Sequence, residues 1–231
     1  MKLSVIIPAY NEAGTILNVI EQVRHCGVSD LEILVVNDCS TDGTTEILNS
    51  LPPSSDLRIF THEVNRGKGA GIRTAQEHIT GDAVIIQDAD LEYSPTEFPK
   101  MLELIESGKA DAVFGSRYSG SVLRIDTFVH FMGNRMLTNF SNICSNLHLS
   151  DMETCYKMIR ADIFKKLHLE CSRFGFEPEV TAKLSRLKAS IYEVPIAYTA
   201  RPYDAGKKIG WKDGVAAMWY IMKYNWFSRG I

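Results

Sequence analysis

Asp88 and Asp90 close the run Ala83-Val84-Ile85-Ile86-Gln87-Asp88-Ala89-Asp90. An apolar, largely β-branched run of this length has the pattern of a strand buried on both faces of a parallel sheet. Ligands of open α/β sheets bind beyond the carboxyl ends of the strands. The two carboxylates would therefore stand where a ligand binds. Two anions this close repel each other unless a cation lies between them. A hard divalent ion such as Mg²⁺ or Mn²⁺ takes oxygen ligands, and it characteristically combines one or two carboxylates with substrate phosphates. Asp-x-Asp by itself is a short pattern that polar loops also carry. Its position at the end of a buried strand is what gives it weight.

Similar polar groups follow the other apolar runs. Pro8-Ala9-Tyr10-Asn11-Glu12 follows the first, Asn37-Asp38 the second, Asn65-Arg66-Gly67-Lys68-Gly69 the third and Gly115-Ser116-Arg117-Tyr118 the fifth. Core packing needs none of them, and strand-end loops of one sheet converge on one crevice. Lys68 stands in a glycine-rich segment that is neither a Walker loop, whose spacing it lacks, nor G-x-G-x-x-G, since residue 72 is Ile. It reads as a helix start facing an anionic ligand, and it disfavours a dinucleotide dehydrogenase. A sugar nucleotidylyltransferase would need an N-terminal glycine-rich loop with Arg and Lys, where this chain has Pro-Ala-Tyr-Asn-Glu.

The elements that must position these groups alternate. Apolar runs at 3–8, 31–36, 57–61, 82–87 and 110–115 predict strands. Periodic stretches at 13–24, 44–51 and 68–79 predict helices, and Ser94-Pro95 reads as another helix start with Pro at the first helical position. The alternation implies right-handed βαβ units and a mostly parallel sheet flanked by helices, an α/β fold. The second half is less regular. Residues 127–143 form an amphipathic helix with Phe128, Met132, Met136 and Phe140 along one stripe. Residues 156–159 and 191–196 read as strands, 176–187 as a helix, and 212–226 as a helix apolar nearly all round. There is no repeat, low-complexity tract or linker. A single domain is expected, in two parts, 1–118 and 119–231.

The bulk numbers set limits. The chain has 231 residues, long enough for one well-buried α/β core. A net charge of −3 gives no support for a nucleic-acid partner. The charge is uneven: residues 199–231 carry net +4 and the remainder net −7. Such a basic, aromatic-rich end suits anionic lipid or phosphate. The five cysteines have neither C-x-x-C nor zinc spacing and read as reduced thiols of a cytoplasmic protein. The six histidines show no paired metal spacing. No run approaches the roughly 18 apolar residues that cross a bilayer, so any meeting with a membrane would be peripheral.

Together, 5–12, 35–44, 65–69 and 87–93 resemble the inverting family-two glycosyltransferases of the GT-A fold, and among them the polyprenyl-phosphate (dolichol-phosphate) mannosyl- and glucosyltransferases. The resemblance runs from Leu3 to about Asn225 and includes 151–157, 174–179 and 206–214. It implies a nucleotide-sugar donor and a divalent metal cofactor. Pro8, Tyr10 and Glu12 would cradle the nucleoside, Asp38 would bind the base, and Lys68 and Asp88 would lie along the nucleotide. Asp88, Asp90 and Glu92 would hold the metal, with Glu92 where relatives often have Gln. Asn37 stands where the family often has a first Asp. Arg117, Arg135, Arg201 and Lys208 are candidates to clamp phosphate, as guanidinium groups suit bidentate contacts.

Asp90, Arg117 and Asp151 are the expected catalytic residues. The acceptor divides two readings. A hydroxyl acceptor needs a general base, a role Asp151 would fill. A lipid phosphate is already anionic and needs only charge neutralisation and placement. The favoured acceptor is a polyprenyl phosphate at the cytoplasmic membrane face. The helices at 127–143 and 211–227 would then lie at headgroup depth, with Trp219, Tyr220, Tyr224 and Trp226 in the interface. Core packing is the alternative for the last helix. Cys155 stands where lipid-phosphate enzymes more often have Gly, and packing suits it better than nucleophilic catalysis. A non-catalytic nucleotide-sugar-binding protein remains the reading from another class.

Overall fold

The computed structural model describes residues 1–120, 125, 127–173, 175–200 and 211–228, except the side chains of 211–213. Seven strands form one sheet in the order β3-β2-β1-β4-β6-β5-β7. β1 (Leu3–Ala9), β2 (Leu31–Asn37), β3 (Leu57–Thr61) and β4 (Ala83–Ile86) run parallel. β5 (Ala112–Ser116) and β7 (Ile191–Pro195) pair in parallel with each other. β6 (Lys157–Arg160) lies between β4 and β5 and is antiparallel to each. The mostly parallel sheet predicted from the alternation is therefore present, with one reversed strand.

The central strands are buried along their length, as their unbroken apolar runs require. Helices α1 (Ile16–Arg24), α2 (Thr44–Asn49), α3 (Lys68–Gln76) and α4 (Phe98–Glu106) connect the first five strands. α1 begins three residues later than its apolar spacing suggests, because the N–H groups of Thr15 and Ile16 turn back to the Glu12 carbonyl. A 3₁₀ turn at Pro95–Glu97 precedes α4, where Pro95 sits with the backbone N–H it lacks unneeded.

In the second half, α5 (Phe128–Ser145), the short α6 (Ala161–Phe164), α7 (Phe176–Arg186) and α8 (Trp211–Met222) follow, with a π-helical turn at Lys223–Phe227. α6 carries too few residues to show a period and was not signalled by the sequence. α5 is polar on its inner side: Thr138, Ser141 and Ser145 are buried. Their small side chains let the helix approach the backbone, and Thr138 Oγ1 accepts from Met152 N–H. The stripe of Phe128, Met132 and Met136 faces outward instead, and only Phe140 packs partly on the core. α8 divides its apolar surface. Ala217, Ile221 and, in the π turn, Tyr224 are buried, whereas Val215, Trp219, Trp226 and Phe227 are exposed. Among the described residues no helix is long and apolar enough to cross a membrane. All five cysteines are free.

Candidate active site at the carboxyl ends of the strands

Six parallel strands deliver their carboxyl ends to one edge of the sheet. Because β6 is reversed, its amino end arrives at the same edge, bringing residues 151–156 to the crevice. The backbone is left-handed at three of these strand ends: Asn11 (φ 57°), Cys39 (φ 60°) and Leu91 (φ 62°). Such residues are uncommon and gather where a site dictates the chain path. At Leu91 the turn folds Glu92 N–H back onto Asp90 Oδ1 at 3.1 Å.

The first wall comes from the ends of β1 to β3. The loop of Tyr10 and Glu12 is held by the turn after β2: Asn11 N–H donates to Ser40 and Glu12 N–H to Thr44 Oγ1. Pro8 is partly buried, and Tyr10 presents its ring to solvent, 40% exposed. Asp38 is buried, and its oxygens take Arg66 N–H at 2.8 Å, Gly67 N–H at 2.7 Å and His62 Nδ1 at 2.7 Å. His62 in turn meets Thr74 Oγ1 on α3. Asp38 thus ties the loop before α3 to the end of β2. His62 and Thr74 give no signal in the sequence, since the triad depends on tertiary packing.

The glycines beside Lys68 have a packing reason. A Cβ on Gly67 or Gly69 would fall 2.3 Å from the carbonyl of Ser172 or Cys171. This close approach seats α3 against 171–173 and aims Lys68 into the crevice. Lys68 Nζ lies 2.8 Å from Asp88 Oδ1, 3.0 Å from Glu177 Oε1 and 3.6 Å from Cys155 Sγ. Burial opposes the charge on Lys68, but Asp88 and Glu177 outweigh it and hold the ammonium protonated well above its ordinary value. Glu177, at the start of α7, is a site residue that sequence reasoning missed, although it lies within a segment that carries the family resemblance.

The second wall is ionic. Asp151, fully buried, receives Arg117 bidentately, Nε at 2.7 Å and Nη2 at 2.8 Å, and the Arg117 backbone N–H at 3.1 Å. Burial pushes the Asp151 carboxyl up, but the charge and hydrogen bonds of Arg117 prevail and hold it below its usual range. Asp151 is therefore a weak base that fixes a guanidinium. Asn134 of α5 joins them, its Nδ2 lying 3.3 Å from Asp151 and 3.1 Å from the Tyr118 hydroxyl. Arg135, the candidate from sequence, lies one position on and is exposed. The guanidinium of Arg117 also stands 5.3 Å from the centre of the Tyr198 ring.

Tyr198 joins the second wall to the Asp-x-Asp loop. It bridges to Tyr93, its hydroxyl donates to Glu92 Oε2 at 2.5 Å, and Thr199 N–H reaches the Glu92 carbonyl. Burial and Glu92 raise the phenol's pKa, so it stays a donor. Arg201 and Lys208, which follow in sequence, lie outside the described residues.

Among the described residues no three His, Cys, Asp or Glu side chains form a metal cage. Asp88 is engaged by Lys68 and Glu92 by Tyr198. The donor set Asp88, Asp90 and Glu92 is nonetheless all oxygen and lies on one loop. It fits a hard cation that completes its shell with phosphate oxygens and water.

The loop before β6 and the first residue of that strand carry two further charged groups, Glu153 and Lys157. Burial, then Glu177, raise the Glu153 carboxyl to about 7, and Lys157 and Arg117 counter them. Lys157 Nζ is turned inward onto the carbonyls of Met152 (2.7 Å) and Thr154 (2.5 Å), so it braces the loop.

The fold is shared with several solved structures. The glucosyl-3-phosphoglycerate synthase of Mycobacterium tuberculosis, crystallised with Mn²⁺, uridine diphosphate and phosphoglyceric acid, superposes with a TM-score of 0.70 at 19% identity, covering 98% of this chain and 79% of that one. At that identity the likeness is one of fold. In sequence, the low-salt glycan biosynthesis hexosyltransferase Agl6 of Haloferax volcanii is 30% identical over 218 residues, 91% of this chain. The chain spans about half, 51%, of that relative's length. The undecaprenyl-phosphate mannosyltransferase of Micrococcus luteus is 29% identical over 223 residues, 91% of this chain and 88% of that protein. The profile of one family covers residues 4–168, from the first strand through the crevice loops to the far side of β6, and by that match the chain belongs to glycosyl transferase family 2.

Proposed function

We propose that the chain transfers a hexose, with inversion, from a nucleotide sugar to a polyprenyl phosphate at the cytoplasmic face of a membrane. The observation that carries this reading is the Arg117–Asp151 pair. Asp151, the candidate base, is instead buried, bidentately bound and depressed in pKa. It would be a poor base for a hydroxyl acceptor. A phosphate acceptor needs none, and it finds a fixed guanidinium whose geometry suits two phosphate oxygens.

In this reading the nucleoside lies along Pro8, Tyr10 and Glu12, with Asp38 shaping the loop beneath it. Lys68 faces the donor phosphates and exchanges part of its pairing with Asp88 for them. Asp90, with Asp88 and Glu92, would hold Mg²⁺ or Mn²⁺, which when bound supplies Lewis-acid neutralisation of the leaving diphosphate. Arg117 holds the acceptor phosphate in line with the anomeric carbon, and Tyr198 keeps the two walls in register. The outward apolar residues of α5 and α8 would rest in the membrane interface, where aromatic rings sit at headgroup depth. The Micrococcus undecaprenyl-phosphate mannosyltransferase, the Haloferax hexosyltransferase and the Mn²⁺ in the mycobacterial structure support this reading. Five free thiols suit a reducing compartment.

The test incubates the purified protein with Mn²⁺ or Mg²⁺, labelled UDP- and GDP-sugars, and undecaprenyl phosphate. Metal-dependent label in the organic phase is expected. The same folded protein carrying Asp90→Ala should lose about a thousandfold in rate, the several kcal/mol that metal catalysis supplies. Label that remains in the aqueous phase despite nucleotide binding would overturn the lipid-phosphate acceptor.

A further inference from the structure

Tyr198 touches two groups to which the proposed reaction gives different tasks. It lies just past the end of β7 and forms an isolated antiparallel bridge with Tyr93 of the Asp-x-Asp loop. Its hydroxyl donates to Glu92 Oε2 at 2.5 Å. Its ring centre lies 5.3 Å from the guanidinium carbon of Arg117, within the range of a cation–π contact. Tyr198, Glu92 and Arg117 are each partly exposed, so neither contact is sealed in the core. A phenol side chain has only two torsions, and fixing its tip therefore fixes its ring.

The backbone around Tyr198 is laced to both sides. Ile196 N–H donates to the Ser116 carbonyl at 3.1 Å, Ala197 N–H to Glu97 Oε1 at 3.0 Å and Thr199 N–H to the Glu92 carbonyl at 2.9 Å. The Tyr93 ring packs on the Tyr198 ring, with centroids 5.1 Å apart. Glu92 is held in turn at its N–H by Asp90 Oδ1, at its carbonyl by Thr199 and at Oε2 by Tyr198. A carboxylate has about four lone-pair sites, and the phenol uses one. Holding one oxygen orients the other, as the partners of metal-binding carboxylates do. The kind of donor matters as well. Asp88 is held by the ammonium of Lys68, Glu92 by a neutral phenol. A neutral donor fixes a carboxylate without cancelling its charge.

We infer that Tyr198 is a positioning residue with two tasks: its hydroxyl orients Glu92 for the divalent cation, and its ring seats Arg117 for the acceptor phosphate. The inference rests on the glycosyl-transfer reading and adds to it a residue that acts through two others.

The experiment separates the two ends of the side chain. Mn²⁺ is titrated by electron paramagnetic resonance, with UDP and with GDP present, into wild type, Tyr198→Phe, Glu92→Ala and the double variant. Farnesyl phosphate, a soluble prenyl phosphate, is titrated calorimetrically into wild type, Tyr198→Phe and Tyr198→Leu. Tyr198→Phe keeps the ring and should weaken Mn²⁺ at least tenfold, the loss that follows removal of a group that orients a ligand. It should bind farnesyl phosphate as wild type does. Tyr198→Leu should weaken farnesyl phosphate by about threefold, the loss of the cation–π contact. In the Glu92→Ala background Tyr198→Phe should cost Mn²⁺ nothing further, because the hydroxyl acts through Glu92. Mn²⁺ bound by Tyr198→Phe as tightly as by wild type would overturn the inference. Tighter binding would overturn it too, showing a phenol that competes with the cation. So would a loss that persists undiminished in the Glu92→Ala background, or an equal loss of Mn²⁺ and farnesyl phosphate in Tyr198→Phe. Farnesyl phosphate bound equally by Tyr198→Leu and wild type would overturn the role of the ring. Should Tyr198→Leu fail to fold, as judged by thermal melting, Tyr198→Met takes its place. If wild type binds neither Mn²⁺ with a nucleotide nor farnesyl phosphate, the glycosyl-transfer reading falls first and this inference falls with it.

Discussion

The two walls of the crevice hold their polar groups by different means. On the wall built from β1 to β3, backbone amides do much of the holding: the Asp38 carboxylate takes the N–H groups of Arg66 and Gly67 beside His62 Nδ1. On the wall built from β5 to β7, opposite charge does it, with Arg117 locked to a fully buried Asp151. Backbone donors are supplied by the fold and cannot be mutated away. An ion pair is an agreement between two side chains, and deleting one strands the other. The first wall is thus a template, suited to a constant part of a ligand such as a nucleotide. The second has a charge that can be shared with an incoming anion. Lys68 belongs to both, as it sits on α3 but pairs with Asp88 and with Glu177 of α7.

The largest effect should follow from breaking the ionic wall. Arg117→Ala leaves Asp151 buried without a counter-charge and should destabilise the fold by about 3–5 kcal/mol, read as a drop in denaturation midpoint. Arg117→Lys keeps the charge but loses the bidentate fork. It should recover most of the stability yet little of the activity. The acid limb of stability offers a second check. The Asp151 carboxyl titrates below its ordinary 3.8 in the folded protein. Its contribution is therefore complete above that pH and is lost as pH falls through the folded value. Arg117→Ala should flatten this limb. If the Ala variant is as stable as wild type, the two walls do not differ as described.

A smaller effect is expected on the backbone-held wall. Asp38→Asn keeps the shape but can turn only one acceptor oxygen toward Arg66, Gly67 and His62, so one of these donors goes unmet. The cost should be about 1–3 kcal/mol, that of one unsatisfied buried donor. Because the loop before α3 carries Lys68, nucleotide affinity should fall with it. Loss of affinity without loss of stability would instead indicate direct base contact by Asp38.

The walls were also unequally legible. The first could be read from the chain because each apolar run ends abruptly in polar residues, and parallel strands must bring those ends together. The sheet, its flanking helices and the Asp88–Asp90 loop follow from that alone. The second wall depends on facts that have no local pattern. That residues 151–156 reach the crevice follows from the reversal of β6, which four residues of sequence do not announce. The choice of Asn134 over Arg135 is a matter of helical phase: one position turns a side chain by about 100°. Charge made Arg135 the attractive candidate, while burial of Thr138 and Ser141 sets the inner face and brings Asn134 inward. Tyr198 and Glu177 act through partners about a hundred positions away in sequence. The glycines of 67–69 were visible, but their reason, contact with the backbone of 171–173, was not.

The outer surface sharpens the contrast at its smallest scale. α1 buries Ile16, Val19, Ile20 and Val23, the ordinary arrangement. α5 reverses it, burying Thr138, Ser141 and Ser145 while Phe128 stands 75% exposed. Alongside, Trp219 and Phe227 stack with their centroids 6.4 Å apart, each more than half exposed. Exposed apolar side chains gather on α5 and α8, although Leu17 and Val64 are exposed elsewhere, and the gathering suits the lipid-bound acceptor proposed above. Trp219→Ser combined with Phe227→Ser should leave the melting temperature within about 2 °C, as exposed substitutions do. It should weaken sedimentation with vesicles of anionic phospholipid by about tenfold, since the stabilisation scales with apolar area withdrawn from water. Turnover of a short-chain, water-soluble polyprenyl phosphate should be unchanged. If partition is unaffected while that turnover falls, the aromatic pair serves the acceptor site itself, and the boundary between wall and membrane surface must be redrawn.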